Sequence, residues 1–503
     1  YLKLTGRDDE LVKLVETFKD ILLNIAAVNS VFTATTLPVS TTTQGTFLNQ
    51  IFVGMFRPDA KAAPRWVGNL KQYQLGMVNG VLDLVDKNGK PAVLSGAGFF
   101  SPLAESFWTE DSVFFDASPS GTPPSASDRP DGPIVEKGGA AQQLRKMGAA
   151  SRTIKVLGGS GLQDLPSNAA FSPFTLDEVK WIRGENNVAT GDGVELFNGA
   201  YLNAGATTPL GSTGARHSIH GDVLHSRPVA LNYGSGDVVV YYGANDGFFR
   251  AVDGNQTGGT AGQELWSFIA PEQYGLITRL RAGTPTIHLP ETNSSGGTIA
   301  APSGSAVKTY GMDGPIGVYA RYSSGGGSVS QAIIYPTMRR GGQSVYAFDV
   351  STKTAPTLLS GWPITGGSGN FAKLAQTWSM PKPVVFSSTS VTAPILLMGG
   401  GYDKAEDSNN STDIGNVVYV VNGFSGERIA ALPTDYSVPS DVTIVDVNGD
   451  GEPDRAYVAD VRGNLYRIDF PAPADVFDGS KWTATGFGIT KIMPFFSATW
   501  TGR

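Results

Sequence analysis

Val238-Val239-Val240-Tyr241-Tyr242-Gly243-Ala244-Asn245-Asp246-Gly247-Phe248-Phe249-Arg250-Ala251-Val252 is the stretch that decides the fold. Two runs of β-branched and aromatic residues flank an Asn-Asp-Gly turn, so the segment reads as a hairpin. Gln263-Glu264-Leu265-Trp266-Ser267-Phe268 supplies a third strand. Related units follow at Ser344–Asp349, Val417–Asn422 and Asn464–Asp469, each alternating apolar and aromatic residues before an Asp or Asn and a turn. The later units start about 70 and then nearly 50 residues apart, against roughly 40–50 for an ordinary propeller blade. The fold class expected is therefore mainly β: a modified β-propeller with long insertions. Radial blades bury both faces of small sheets and leave only short edges, which suits these units better than a sandwich.

Composition agrees. With 63 Gly, 31 Pro and only 17% charged residues in 503, the chain is suited to many tight turns rather than to helices. Thirty-eight basic against 45 acidic residues give a net charge of −7, which argues against a nucleic-acid or anionic-membrane partner. The chain has no cysteine, so disulfides, thiolate metal sites and cysteine nucleophiles are excluded together. No apolar run approaches the roughly 18 residues of a transmembrane helix. The first residue is Tyr1 rather than Met, so the chain reads as a piece of something longer and the lack of a signal peptide carries no information.

Upstream of the repeats the pattern changes. From Asp8 to about Val28, Leu11, Leu14, Val15, Phe18, Ile21, Leu22 and Ile25 recur at helical spacing, with Asp8 or Asp9 as the cap. Residues 1–29 are thus expected to be a helix and linker packed on an upstream domain. Residues 30–213 read as a β-rich connecting region with long loops, and 214–503 as the propeller. Within 30–213, strands are expected at Val31–Thr35, Phe47–Phe56 and Trp66–Tyr73, and a hairpin over Leu82–Val93 turning at Asn88-Gly89. Asp86 reads as a turn residue, Ser118–Asp131 as an exposed loop, and Glu136–Ala149 as helical.

One segment points to a ligand: Asp446-Val447-Asn448-Gly449-Asp450-Gly451-Glu452-Pro453-Asp454. Asp446, Asn448 and Asp450 place side-chain oxygens at alternate positions, Gly451 permits a sharp turn, and Asp454 closes the set. Calcium is a hard cation that takes six to eight oxygens, and a tightly turned loop delivers them. Glu452 stands where such loops contribute a main-chain carbonyl, so its side chain is expected to face water. An EF-hand would need a Glu at position twelve, where this chain has Tyr457, and helices on both flanks. Val442–Val445 and Ala456–Ala459 instead read as strands. An Asx-rich turn without metal is the alternative reading. The carboxylate count suggests an affinity of roughly micromolar to millimolar.

Longer phrases carry a family resemblance. Gly221-Asp222-Val223-Leu224-His225-Ser226-Arg227-Pro228 followed by Tyr241–Gly247 resembles the PilY/PilC family of type IV pilus tip-associated proteins. Tyr335–Gly342, Met398–Asp403, Thr46–Gln50 and Phe56–Asp59 are similar to it as well, so the resemblance covers nearly everything after Val31. It implies a C-terminal propeller of a large exported protein that promotes pilus extension, twitching motility and adhesion under calcium control. It also implies Ca2+ bound by Asp446, Asn448, Asp450, the Glu452 carbonyl and Asp454. The expected partners are minor pilins of the tip complex and host or abiotic surface ligands, and the expected location is the pilus tip at the bacterial surface. A von Willebrand A-like domain upstream, and propeller blades beyond Arg503, are further expectations of the resemblance. No Arg-Gly-Asp motif, found in some relatives, occurs here.

Two rival functions share this sequence. A quinoprotein dehydrogenase is also a propeller with calcium, but its ion is cradled by separate blades beside a pyrroloquinoline quinone. Here all the ligands come from one loop, and the adjacent-cysteine disulfide of many such enzymes is impossible, so no enzymatic activity is expected. A secreted adhesin with no pilus role would share both fold and loop. Elsewhere, His217, His220 and His225 could bind zinc but read as structural, and Asp403, Glu406, Asp407 and Asp413 read as a solvated loop rather than a second cation site.

Overall fold

The computed structural model describes residues 34–36, 49–59, 61–94, 99–112, 127–159, 161–188, 191, 196–197, 200–201, 214–288, 300–323, 327–386, 393–408, 412–471, 477–478, 481–482 and 486–494. The expected helix over Asp8–Val28 lies outside these residues, as does most of the strand expected at Val31–Thr35.

Among the described residues, five sheets with a four-stranded antiparallel core follow one another along the chain, besides smaller two-stranded pairs. Sheet 1 comprises Ala34–Thr36, Gln50–Arg57, Val67–Val78 and Val81–Val85. Sheet 2 comprises Val229–Asn232, Val238–Gly243, Phe248–Asp253 and Glu264–Ile269. Sheet 3 is built from Ile316–Tyr322, Val329–Pro336, Phe348–Asp349 and Thr357–Leu358. Sheet 4 uses Lys382–Val384, Ile395–Gly399, Val417–Asn422 and Arg428–Pro433. Sheet 5 uses Thr443–Val445, Arg455–Ala459, Asn464–Asp469 and Gly488–Pro494.

The two-residue period of a strand explains how the sheets stack. In Val238–Gly243, Val238, Val240 and Tyr242 pack with Phe52 and Leu70 of sheet 1. The intervening Val239 and Tyr241 join Trp266, Phe268, Ile334 and Phe348 between sheets 2 and 3. The same division recurs in sheet 4, where Val417, Tyr419 and Val421 meet Ile333 and Tyr335 of sheet 3. Val418 and Val420 face Val458, Tyr466 and Ile468 of sheet 5. The central strands of sheets 2 and 4 therefore serve two cores each, whereas those of sheet 5 bury one face, in the core shared with sheet 4. Full burial of each such Val or Leu contributes about 1.5–3 kcal/mol, which only a radial or stacked arrangement can collect on both faces.

Several expectations change. The hairpin in the connecting region turns at Asn79-Gly80, both with positive φ (51° and 81°), and pairs Val67–Val78 with Val81–Val85. The Asn88-Gly89 turn joins only a single bridge, Val85 to Pro91, and Asp86 supports it by accepting from the amides of Asn88 and Lys90 (2.9 Å each). Ser344–Asp349 is not one strand. Ser344–Val345 pairs with Ile364–Thr365, whereas Phe348–Asp349 belongs to sheet 3, because the Tyr346 amide turns aside to the Pro336 carbonyl. The boundary drawn at 213/214 is crossed by sheet 2, which adds Ile154–Gly158 in parallel beside Glu264–Ile269 and then Gly161–Asp164. The end of the loop expected to be exposed is buried. Asp131 pairs with Lys71 (3.1 Å) and Asp128 with Arg145 (2.5 Å), so charge pairing draws the segment inward.

Among the described residues, three α-helices cover the side of sheets 1 and 2. They are α1 (Gly139–Ser151), interrupted at Gly148, α2 (Leu176–Ile182), capped by a Thr175–Glu178 box, and α3 (Tyr274–Ala282), ended by Gly283 at φ 73°. Val179, Trp181 and Ile182 of α2 meet Leu276, Ile277 and Leu280 of α3 over Phe248 and Ile269. No helix among the described residues is long and apolar enough to cross a membrane.

Candidate metal centre

The nine residues from Asp446 connect the first two strands of sheet 5, which pair antiparallel with Val445 opposite Arg455. The strands on both flanks match the sequence reading. Asp454 closes the loop through its own amide, which donates to the Val445 carbonyl (3.1 Å), while its carbonyl accepts from Phe470 (3.0 Å). Inside the loop the side chains of Asp446, Asn448, Asp450 and Asp454 turn toward the backbone. Asp446 Oδ1 accepts from the Gly449 amide (2.7 Å) and Oδ2 from that of Gly451 (2.8 Å). Asn448 Oδ1 accepts from Asp450 (2.8 Å), and Asp450 Oδ1 from Glu452 (2.8 Å). Asp454 Oδ2 accepts from Val447 (2.6 Å) and Asn448 (3.3 Å).

Two glycines make this winding possible. Gly451 sits at φ 86°, and so does Gly449 at 78°, a position the sequence reading passed over although Asn-Gly announces it. A Cβ at either would meet nothing within 4 Å, so the requirement is conformational rather than steric. The Gly451 amide, followed by that of Gly449, holds the Asp446 carboxyl below its ordinary value, and the group is anionic at neutral pH.

The loop's donor set fits a hard cation. It is made of oxygen alone, three carboxylates and one amide, with the Glu452 carbonyl in the same turn. One oxygen each of Asp450 and Asp454 accepts no hydrogen bond among the described residues, and the singly engaged oxygens of Asn448 and Asp450 keep a second lone pair. Among the described residues, no three His, Cys, Asp or Glu side chains group to hold a metal by themselves, so Asn448 and the main chain would have to complete the shell. Residues Asp446 to Gly451 are exposed. Glu452 differs from expectation: it is half-buried, and one carboxylate oxygen is shielded from solvent.

Of the other candidates, His220, His225 and the carboxylates of the acidic loop sit in structural pairs, and His217 is buried. His220 lies between the Gly221 carbonyl (2.8 Å) and the Tyr242 hydroxyl (2.7 Å), and burial, aided by the Arg250 charge, lowers its pKa to about 3. His225 binds Asp313 (2.5 Å). In the acidic loop, Asp407 binds Arg340, Asp413 binds Lys373, Glu406 binds Arg462, and Asp403 accepts from Thr412. Each of those carboxylates already has a donor, which leaves little for a second cation.

A buried charge network in sheet 2 escaped the sequence reading. Arg250 grips Asp246 with both terminal nitrogens (3.0 and 2.6 Å) and approaches Glu264, which Arg152 also binds (2.9 and 3.0 Å). Burial pushes the Asp246 carboxyl up, but Arg250 outweighs it and holds the pKa at about 2. An Arg in the middle of a buried strand was the available signal.

Stacked four-stranded sheets with an oxygen-lined loop on an end hairpin define a propeller module carrying a candidate hard-cation site. The profile of the PilY1 beta-propeller domain matches residues 230–481, half of the chain and inclusive of the loop, and the chain belongs to that family. It is 24% identical over 318 residues to a type IV pilus biogenesis factor PilY1 homolog of Xylella fastidiosa strain Temecula1, covering 57% of this chain and 21% of that protein. It is 25% identical over 246 residues to the type IV pilus biogenesis factor PilY1 of Pseudomonas aeruginosa, covering 46% and 17%. The chain thus spans about a fifth of the length of these relatives. A crystal structure of the Pseudomonas aeruginosa PilY1 C-terminal domain aligns with a TM-score of 0.33 at 20% identity, over 51% of this chain and 44% of that one.

Proposed function

We propose that this chain is the calcium-binding propeller of a type IV pilus biogenesis factor, non-enzymatic and acting at the pilus tip on the cell surface. The observation that carries the reading is the coincidence of the family match over residues 230–481 with an oxygen-only loop inside it. Bound calcium neutralises Asp446, Asp450 and Asp454 and clamps the first hairpin of sheet 5. Without it, mutual repulsion loosens that hairpin. Occupancy then biases a contact surface toward minor pilins or toward host and abiotic surfaces, and so controls extension, twitching and adhesion.

The test is cellular. Asp454→Ala in the full-length protein should reduce surface pili and twitching and leave the protein's own abundance unchanged. Co-purification with sheared pili separates this reading from a free adhesin. Normal piliation and twitching in the variant, or absence of the protein from sheared pili, would contradict it.

A further inference from the structure

Arg339 and Arg340, in the turn after the second strand of sheet 3, come together with Arg227, just ahead of the first strand of sheet 2, around Tyr310, Trp378 and Tyr402. Arg339 stands out in three ways. Its φ is 51°, a left-handed conformation costly for a side chain with a Cβ, yet Thr377 fixes it by bonding the amides of Met338 (2.9 Å) and Arg339 (3.0 Å). Its guanidinium stacks on Trp378 with 4.2 Å to the ring centroid. It makes no ion pair among the described residues, and its Nε is shielded from solvent without a hydrogen-bond partner among them.

Arg340 covers the same indole (5.1 Å) and Tyr402 (5.3 Å), but it is neutralised by Asp407, whose carboxylate it binds at 3.0 and 3.2 Å. The Tyr402 hydroxyl donates to the same carboxylate (2.9 Å). Arg227 is exposed, makes no ion pair among the described residues, and repels Arg339. Asp313 is the nearest countercharge, but it is fully buried and committed to His225 and Asn245. One half of the cluster therefore holds a protein carboxylate between arginine and tyrosine, and the other half sets Arg339 on the Trp378 face, with Arg227 beside it and no ion pair to either among the described residues.

We propose that Arg339, with Arg227 and the Trp378 face, forms a receptor for a carboxylate borne by an acidic protein segment. The planar fork of arginine takes a carboxylate bidentately, and the indole beneath it orients the guanidinium and covers the ligand's methylenes. The bond Asp407 makes within the chain is the pattern for the bond made between chains. This site is independent of the calcium loop.

The test uses the whole chain titrated calorimetrically with hexaglutamate at low salt. Binding should be saturable and should weaken about tenfold or more in Arg339→Gly and in Arg227→Gln, the loss of one charge-assisted bond each. Arg428→Gln, which removes an exposed cation on another strand, should leave it unchanged. Glycine adopts the Arg339 backbone without strain, so Arg339→Gly should keep or raise the unfolding midpoint, and lost binding cannot be ascribed to misfolding. Unaltered affinity in Arg339→Gly, no saturable binding at millimolar peptide, or tighter binding of tetragalacturonate than of hexaglutamate would overturn the assignment to a protein segment.

Discussion

Gly451 at φ 86° is the residue on which the loop's winding depends most directly, since its amide reaches Asp446 and its Cβ position is open. Gly451→Ala therefore tests conformation without a clash. The left-handed backbone should cost about 1–2 kcal/mol, seen as a lower calcium-dependent gain in unfolding midpoint, with the calcium-free midpoint moving less. The loop and its flanking strands were legible because alternating Asp, Asn and Gly between two β-branched runs mark a tight connection. The loop's hydrogen-bonded state was not, because a sequence does not say which amides will face the carboxylates. Asp128 and Asp131 failed for a related reason: in a run of Ser, Pro, Gly and Asp they read as loop residues. Only the fold brings Arg145 and Lys71 against them.

At the scale of elements, central strands were the most legible part. Val238–Gly243, Val417–Asn422 and Asn464–Asp469 occupy the positions their β-branched and aromatic residues indicate. Short or partner-switching strands were not legible. Ile154–Gly158 gains its partner more than a hundred residues away, at Glu264–Ile269, so no local pattern marks it as part of sheet 2. The hairpin Thr443–Val445 with Arg455–Ala459 is the element that calcium should govern, because the loop's three carboxylates sit at its closed end. Hydrogen exchange followed after chelation should show faster exchange over residues 443–459 and little change in Val417–Asn422, which is buried between two cores. Uniform protection with and without calcium would count against the clamp.

Across the whole molecule, sheets stacked by alternating faces make stability a property shared between neighbours, and buried ionisable groups make it depend on pH. His220 has a folded pKa of about 3 against an ordinary value near 6.5. The unfolded chain therefore binds the extra proton between those values, and stability present above pH 6.5 is lost as pH falls. The loss should be about 2 kcal/mol between pH 7 and pH 5, read as a falling urea midpoint. Asp246, held at about 2, contributes in the same direction only at lower pH. His220→Gln should show a flatter decline over that window, and an equal slope would remove His220 from the explanation. The central claim concerns the ion itself. Calorimetric titration of calcium into the chain should give one site per molecule with an affinity between micromolar and millimolar, and Asp454→Ala should abolish the heat; no binding to the unaltered chain, or undiminished affinity in the variant, would contradict the account.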